Sequence, residues 1–168
     1  MAASERADEI RSAFLGALQA EGLHPQPLSD LAASASRSVR ELFAALGNAG
    51  REVYLVPGVA LVNVHVRSEP PGWWNILKSV KRDLDSMAKE FGLNCTYVLL
   101  IGRKDLHVAD GYIVGDFSKP PFTRMPRAED TKYSINERQH LDERAKLLSV
   151  AKVAKVLARQ RIANVDAP

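Results

Sequence analysis

His65 and Arg67 lie two positions apart on the run Ala60 to Arg67, where Val62, Val64 and Val66 alternate with Asn63, His65 and Arg67. Alternation with period two marks a strand, so the imidazole and the guanidinium share one face and the valines take the other. On such a face Arg67 suits a phosphate and His65 adds a hydrogen bond. The structural alternative for the pair is a solvated sheet face opposite the valines. A second signal is Trp73-Trp74, behind Pro70 and Pro71 and at the N-terminal end of an expected helix. Adjacent helical residues point about 100° apart, so one indole faces the core and the other faces solvent. An exposed ring there can stack on a base or cover a ligand while free N–H groups receive a phosphate. The packing alternative has both rings capping the core.

Basic residues add to this set. The central helix carries Lys78, Lys81, Arg82 and Lys89 opposite its apolar stripe, with Asp83 and Asp85 close by. Asp85 lies at i, i+3 and i, i+4 spacing from Arg82 and Lys89, which gives ordinary surface ion pairs. The last helix shows Lys152, Lys155 and Arg159 with no acidic residue between them. Together with Arg103 and Lys104 the two stripes form one electropositive surface if the fold brings them together.

Other chemistries find less support. Asp105, His107 and Asp110 cluster between two expected strands, where His107 and one carboxylate suit a metal, although a polar hairpin connection is the ordinary use of such residues. There is no G-x-S-x-G elbow, P-loop, dinucleotide fingerprint or histidine pair at metal spacing, and no cofactor is expected. Cys95 is the only cysteine, which excludes an intramolecular disulfide and a cysteine metal cluster, and its apolar surroundings predict a buried structural thiol.

The elements that must position these residues follow from periodicity and punctuation. Ile10, Phe14, Ala17 and Leu18 mark a first helix capped by Ser4 and ended by Gly22. Leu31, Ala35, Val39, Leu42, Phe43 and Leu46 mark a second helical region capped by Ser29, which Ser34 to Ser38 can divide. Val53 to Val56 and Ala60 to Arg67 form a hairpin around Pro57-Gly58. Leu77, Val80, Leu84, Met87 and Phe91 define the central helix, ended by Gly92. Cys95 to Gly102 and Tyr112 to Val114 read as an antiparallel pair, 118–130 as an exposed loop, and Tyr133 to Ile135 as a short edge strand. A final helix is expected from about Leu141 to Ile162. The predicted class is α/β (α+β): a small mixed, largely antiparallel sheet of about four to five strands flanked by helices, with an N-terminal helical pair over 1–50 and the sheet domain over 51–168, expected to form one compact unit.

Within 168 residues, 46% hydrophobic and 26% charged, one folded domain is the expectation. No apolar run reaches bilayer length and the first ten residues lack a secretion signal, so a cytoplasmic protein without membrane contact is expected. A net charge of +3 permits a polyanionic partner without requiring one.

The order hairpin, helix, two strands over roughly 51–117 resembles the core of the PD-(D/E)XK nuclease superfamily. That resemblance implies a metal site built from an acidic residue and a strand carrying (D/E)-x-K, where carboxylates bind a divalent ion and the lysine helps activate water. Here the corresponding strand reads His65-Val66-Arg67, and Ala60 to Val64 offers no aspartate partner. A neutral histidine does not concentrate magnesium, so a degenerate site that binds rather than cuts is expected. The segment Leu28 to Leu46 also looks like a helix-turn-helix, with Arg37 and Arg40 approaching DNA and the following hairpin as a wing, against the simpler reading of a structural helical pair.

The function expected is a non-catalytic nucleic-acid-binding module, DNA favoured, of a defence, restriction or mobile-element system. Its contact residues are His65, Arg67, Trp73, Trp74, Lys78, Lys81, Arg82, Arg103 and Lys104. The alternatives are a divergent metal-dependent nuclease that recruits Glu52, Asp105 or Asp110, and an assembly domain that docks a protein partner or a second copy.

Overall fold

The computed structural model describes residues 3–103, 109–115, 131–141 and 146–166. Lys104, Asp105, His107 and the expected loop 118–130 lie outside the described residues.

Helix α1 (Ala3–Ala20) buries Ile10, Phe14 and Leu18, four residues apart on one stripe, and the chain turns at Gly22 with φ +77°. Strand β1 (Gln26–Pro27) leads into α2 (Leu28–Leu31), a single turn, and then into α3 (Arg37–Leu46). Ser29 lies inside α2 and does not cap it. The capping hydroxyl is Ser36, which accepts from the Val39 N–H at 3.3 Å to start α3.

A 3-10 segment over Gly47–Glu52 enters the hairpin of β2 (Val53–Val56) and β3 (Ala60–Arg67). The chain then runs through β4 (Trp73–Leu77), α4 (Lys78–Glu90), β5 (Cys95–Gly102) and β6 (Ala109–Val114). After β7 (Lys132–Asn136), a π-helical turn over Glu137–Leu141 and β8 (Leu148–Ser149), it closes with α5 (Val150–Asp166).

The main sheet is mixed and mostly antiparallel, in the order β1-β2-β3-β5-β6-β8, with β3 and β5 its parallel pair. Two of its six strands, β1 and β8, are only two residues long, which is why the pattern showed fewer. β4 and β7 form a separate two-stranded antiparallel ribbon.

Both faces of the main sheet are covered. Val62, Val64, Val98 and Leu100 pack with Phe14 and Leu18 of α1 and with Val153 and Leu157 of α5. On the other face Leu61, Tyr97, Leu99 and Tyr112 pack with Leu84 and Met87 of α4, Val39 and Leu46 of α3, and Trp74, Ile76 and Ile135 of the ribbon. The expected solvated sheet face opposite the β3 valines is therefore a buried layer. At some 25 cal/mol per Å² of apolar surface, two such layers are the main favourable term in folding.

Three further expectations are corrected. Trp73 and Trp74 stand on a strand, because Trp74 and Ile76 turn inward while Trp73 and Leu77 turn outward, and α4 starts only at Lys78. The last helix starts at Val150 and not at Leu141. Leu141 belongs to the π turn, Leu148 is drawn into the sheet beside Gly111, and the Ser149 hydroxyl accepts from the Lys152 N–H at 3.3 Å to begin α5. The β2–β3 hairpin is no wing, since β3 has a strand on either side of it.

Candidate nucleic-acid interface

Strand register brings three of the expected contact residues to one end of the sheet. Arg67 is the last residue of β3 and pairs with Ile101, two residues before Arg103. Trp73 opens β4 opposite Asn136, whose neighbour Glu137 bonds to Arg103. These are the C-terminal ends of the two parallel strands, the place where open α/β sheets collect ligands.

Their availability differs. The Arg103 guanidinium pairs with Asp110 Oδ2 at 3.3 Å and Glu137 Oε2 at 3.1 Å, and the Tyr112 hydroxyl donates to that same Glu137 oxygen at 2.8 Å. Burial works against the charge of Arg103, but Glu137 and Asp110 outweigh it and raise the guanidinium above its ordinary pKa. Its carbonyl accepts from Arg6 Nη2 at 3.0 Å, tying α1 to the end of β5. Arg103 is thus a brace inside the protein and offers little to a phosphate. Gly102 beside it has no room for a side chain, because a Cβ would run into the Ser68 carbonyl oxygen and the Ile10 side chain. Arg67, by contrast, is exposed and makes no ion pair among the described residues.

Trp74 is 3% exposed and Trp73 49%. The Trp74 indole N–H donates to the Leu100 carbonyl at 3.2 Å, and its ring meets Tyr112 edge-on with centroids 6.1 Å apart. This polar tether and aromatic contact fix β4, which holds Trp73 out on the other side of the strand. The outward face of the ribbon consists of Trp73, Asn75 and Leu77 from β4 and Lys132, Ser134 and Asn136 from β7. The Ser134 hydroxyl donates to Asn75 Oδ1 at 2.6 Å across it. Sequence reasoning missed this face by placing 73–77 in a helix. Alternation is hidden in the sequence here, because of the three outward β4 residues only Asn75 is polar.

The basic face expected on α4 divides. Lys81 is turned into the structure, 9% exposed, and pairs with Asp85 Oδ2 at 2.5 Å. Asp85 Oδ1 accepts from the Tyr97 hydroxyl at 3.0 Å, so α4 is bonded to the centre of β5. Burial first, then the neighbouring Cys95 and Asp85, raises the Tyr97 pKa, and burial pushes the Cys95 thiol up to about 12. Asp85 therefore serves Lys81 and Tyr97, not Arg82 and Lys89. Arg82 is exposed beside Asp83 at 3.5 Å, and the Lys78 ammonium lies 5.8 Å from the centre of the Tyr133 ring. His65 shares a short hydrogen bond with Asn63, whose amide donates to the Glu52 carbonyl at 3.2 Å. Burial lowers the His65 pKa to about 4, so the ring is neutral near pH 7.

The basic stripes do not merge into one surface. α4 covers one face of the sheet and α5 the other, which leaves exposed Lys152, Lys155 and Arg159 across the sheet from Arg82. α3 packs Val39 and Leu46 inward, and its exposed Arg37 pairs with Glu41 at 2.9 Å.

Of the carboxylates considered for metal chemistry, the two among the described residues, Glu52 and Asp110, are separated. Glu52 precedes β2 and pairs with Arg11 at 2.6 Å, while Asp110 lies on β6 with Arg103. Three strand spacings separate β2 from β6, about 14 Å, too far for one ion. Among the described residues no group of three His, Cys, Asp or Glu side chains is placed to hold a metal, and no helix is long and apolar enough to cross a membrane. No family model, curated protein or solved structure matches the chain.

Proposed function

We propose that this chain is a non-catalytic nucleic-acid-binding module working in the cytoplasm, with DNA the favoured ligand. The observation that carries the reading is an exposed Arg67 that ends β3 and a half-exposed Trp73 that opens β4 shortly after it along the chain. An indole offers a stacking platform and a guanidinium offers a phosphate contact, the two elements that nucleic-acid surfaces combine. The resemblance to degenerate PD-(D/E)XK cores is part of the same reading: the strand that would hold the acidic pair carries His65 and Arg67 instead. The separation of Glu52 from Asp110 further disfavours cleavage.

A mobility-shift titration of the whole protein against mixed duplex and single-stranded DNA tests it. Binding should weaken as salt rises, since phosphate contacts release counterions. Arg67→Ala should lower affinity several-fold and reduce the salt slope by about 1. Supercoiled plasmid incubated with the protein and magnesium or manganese should stay uncut. An absence of shift at any salt would remove the proposal, and magnesium-dependent nicking by the purified protein would replace it with the nuclease reading.

A further inference from the structure

We infer that the outward face of the β4–β7 ribbon binds unpaired nucleotides, with Trp73 stacking on a base and Lys132 taking a phosphate. The inference rests on the nucleic-acid reading above and narrows it to single strands.

The face is built for a flat, anionic, hydrogen-bonding partner. Its six outward residues are Trp73, Asn75 and Leu77 with Lys132, Ser134 and Asn136 opposite, so it bears one positive charge and no carboxylate. Trp73 and Leu77 are each 49% exposed, two of the three large apolar side chains left open among the described residues. Between them lie Asn75 and Ser134, hydrogen-bonded to each other. Asn136, whose Oδ1 accepts from the Arg138 N–H at 3.0 Å, stands across from Trp73. The amide N–H groups of the two asparagines suit the edges of bases. Arg67, which ends β3 shortly before β4 begins, is a second exposed cation on the chain leading to Trp73, while Lys132 sits at the Leu77 end. At about 3.3 Å per residue the strip is roughly 13 Å long, enough for a few nucleotides.

Single strands are favoured over duplex by the ring itself. Inside a duplex each base face is covered by its neighbours, and only base edges and phosphates reach the surface. A protruding indole finds a π-face only on an unpaired base. The ribbon is also held rigid from behind, through the Trp74 indole bond to Leu100 and the burial of Ile76 and Ile135, so stacking costs little ordering of the protein.

The test uses the full chain and three labelled ligands in fluorescence anisotropy: a thymidylate dodecamer, an abasic strand of the same length and charge, and a dodecamer duplex. The thymidylate strand should bind tightest. Trp73→Ala should weaken it about 5- to 100-fold and leave abasic binding unchanged, whereas Trp73→Phe keeps most of the affinity. Lys132→Gln should weaken both single strands alike. Equal binding of thymidylate and abasic strands, or tighter binding of duplex, overturns this inference and leaves the broader reading standing. Failure of all three ligands overturns both. A dimer in light scattering that Trp73→Ala dissociates, with no strand bound, overturns the inference in favour of contact between copies.

Discussion

At the scale of single residues, His65 shows how a side chain that looks like a ligand becomes part of the interior. A histidine among valines on an alternating strand is legible in the sequence, and so is its sharing a face with Arg67. What the sequence does not show is that this face is roofed by α4 and the ribbon, because that roof is made of residues more than five positions beyond the strand. Burial holds the imidazole at about 4, below the 6.5 of the unfolded chain, so the unfolded state binds more protons between those values. The contribution of His65 is complete above pH 6.5 and is lost as pH falls towards 4, a drop on the order of 2–3 kcal/mol. Urea midpoints measured between pH 7 and pH 4 should decline in this window, and His65→Gln should flatten that decline. A variant whose profile matches the parent's would place the pH dependence elsewhere.

At the scale of elements, the strands with clear alternation or continuous apolar runs were readable. β2, β3 and β5 emerge from Val53 to Val56, Ala60 to Arg67 and Cys95 to Gly102 with the bounds the structure gives. β4 was not, because Leu77 completes a helical spacing with Val80 and Leu84, and the helix pattern was extended back over the tryptophans. One buried and one exposed indole follow from either geometry, yet only the strand puts Trp73 beside Asn75, Leu77 and the β7 residues. The two rings should differ sharply in stability. Trp74→Ala removes a buried ring with its hydrogen bond and should cost about 3–5 kcal/mol, while Trp73→Ala should stay within about 0.5 kcal/mol. Chemical denaturation followed by far-UV circular dichroism reads both, and a large loss at Trp73 would mean that its ring packs instead of standing free.

For the whole molecule, packing runs across residue 50. Ile10, Phe14 and Leu18 of α1 are packed with β3, β5 and α5, and Arg11 reaches Glu52 at the entrance to β2. Composition and periodicity mark α1 as an amphipathic helix but do not say which surface it covers, since that depends on a sheet whose strands are scattered along the chain. Both tryptophans lie on the opposite side of the sheet from α1, so they report on any loss that crosses it. Phe14→Ala should cost about 3–5 kcal/mol and shift the tryptophan-fluorescence transition as one cooperative step. A tryptophan signal untouched by the substitution would show that the two layers melt independently.

The two-residue strands at either margin of the main sheet carry a consequence for crowded solutions. Each presents only a rung or two of unpaired backbone, and β1 ends in Pro27, which has no N–H to offer a neighbouring chain. At those rungs the main sheet offers little template on which another copy could add strands. Strand addition from the folded state is discouraged at those rungs, although Leu61, Val98 and Leu100 would be highly prone to it if exposed.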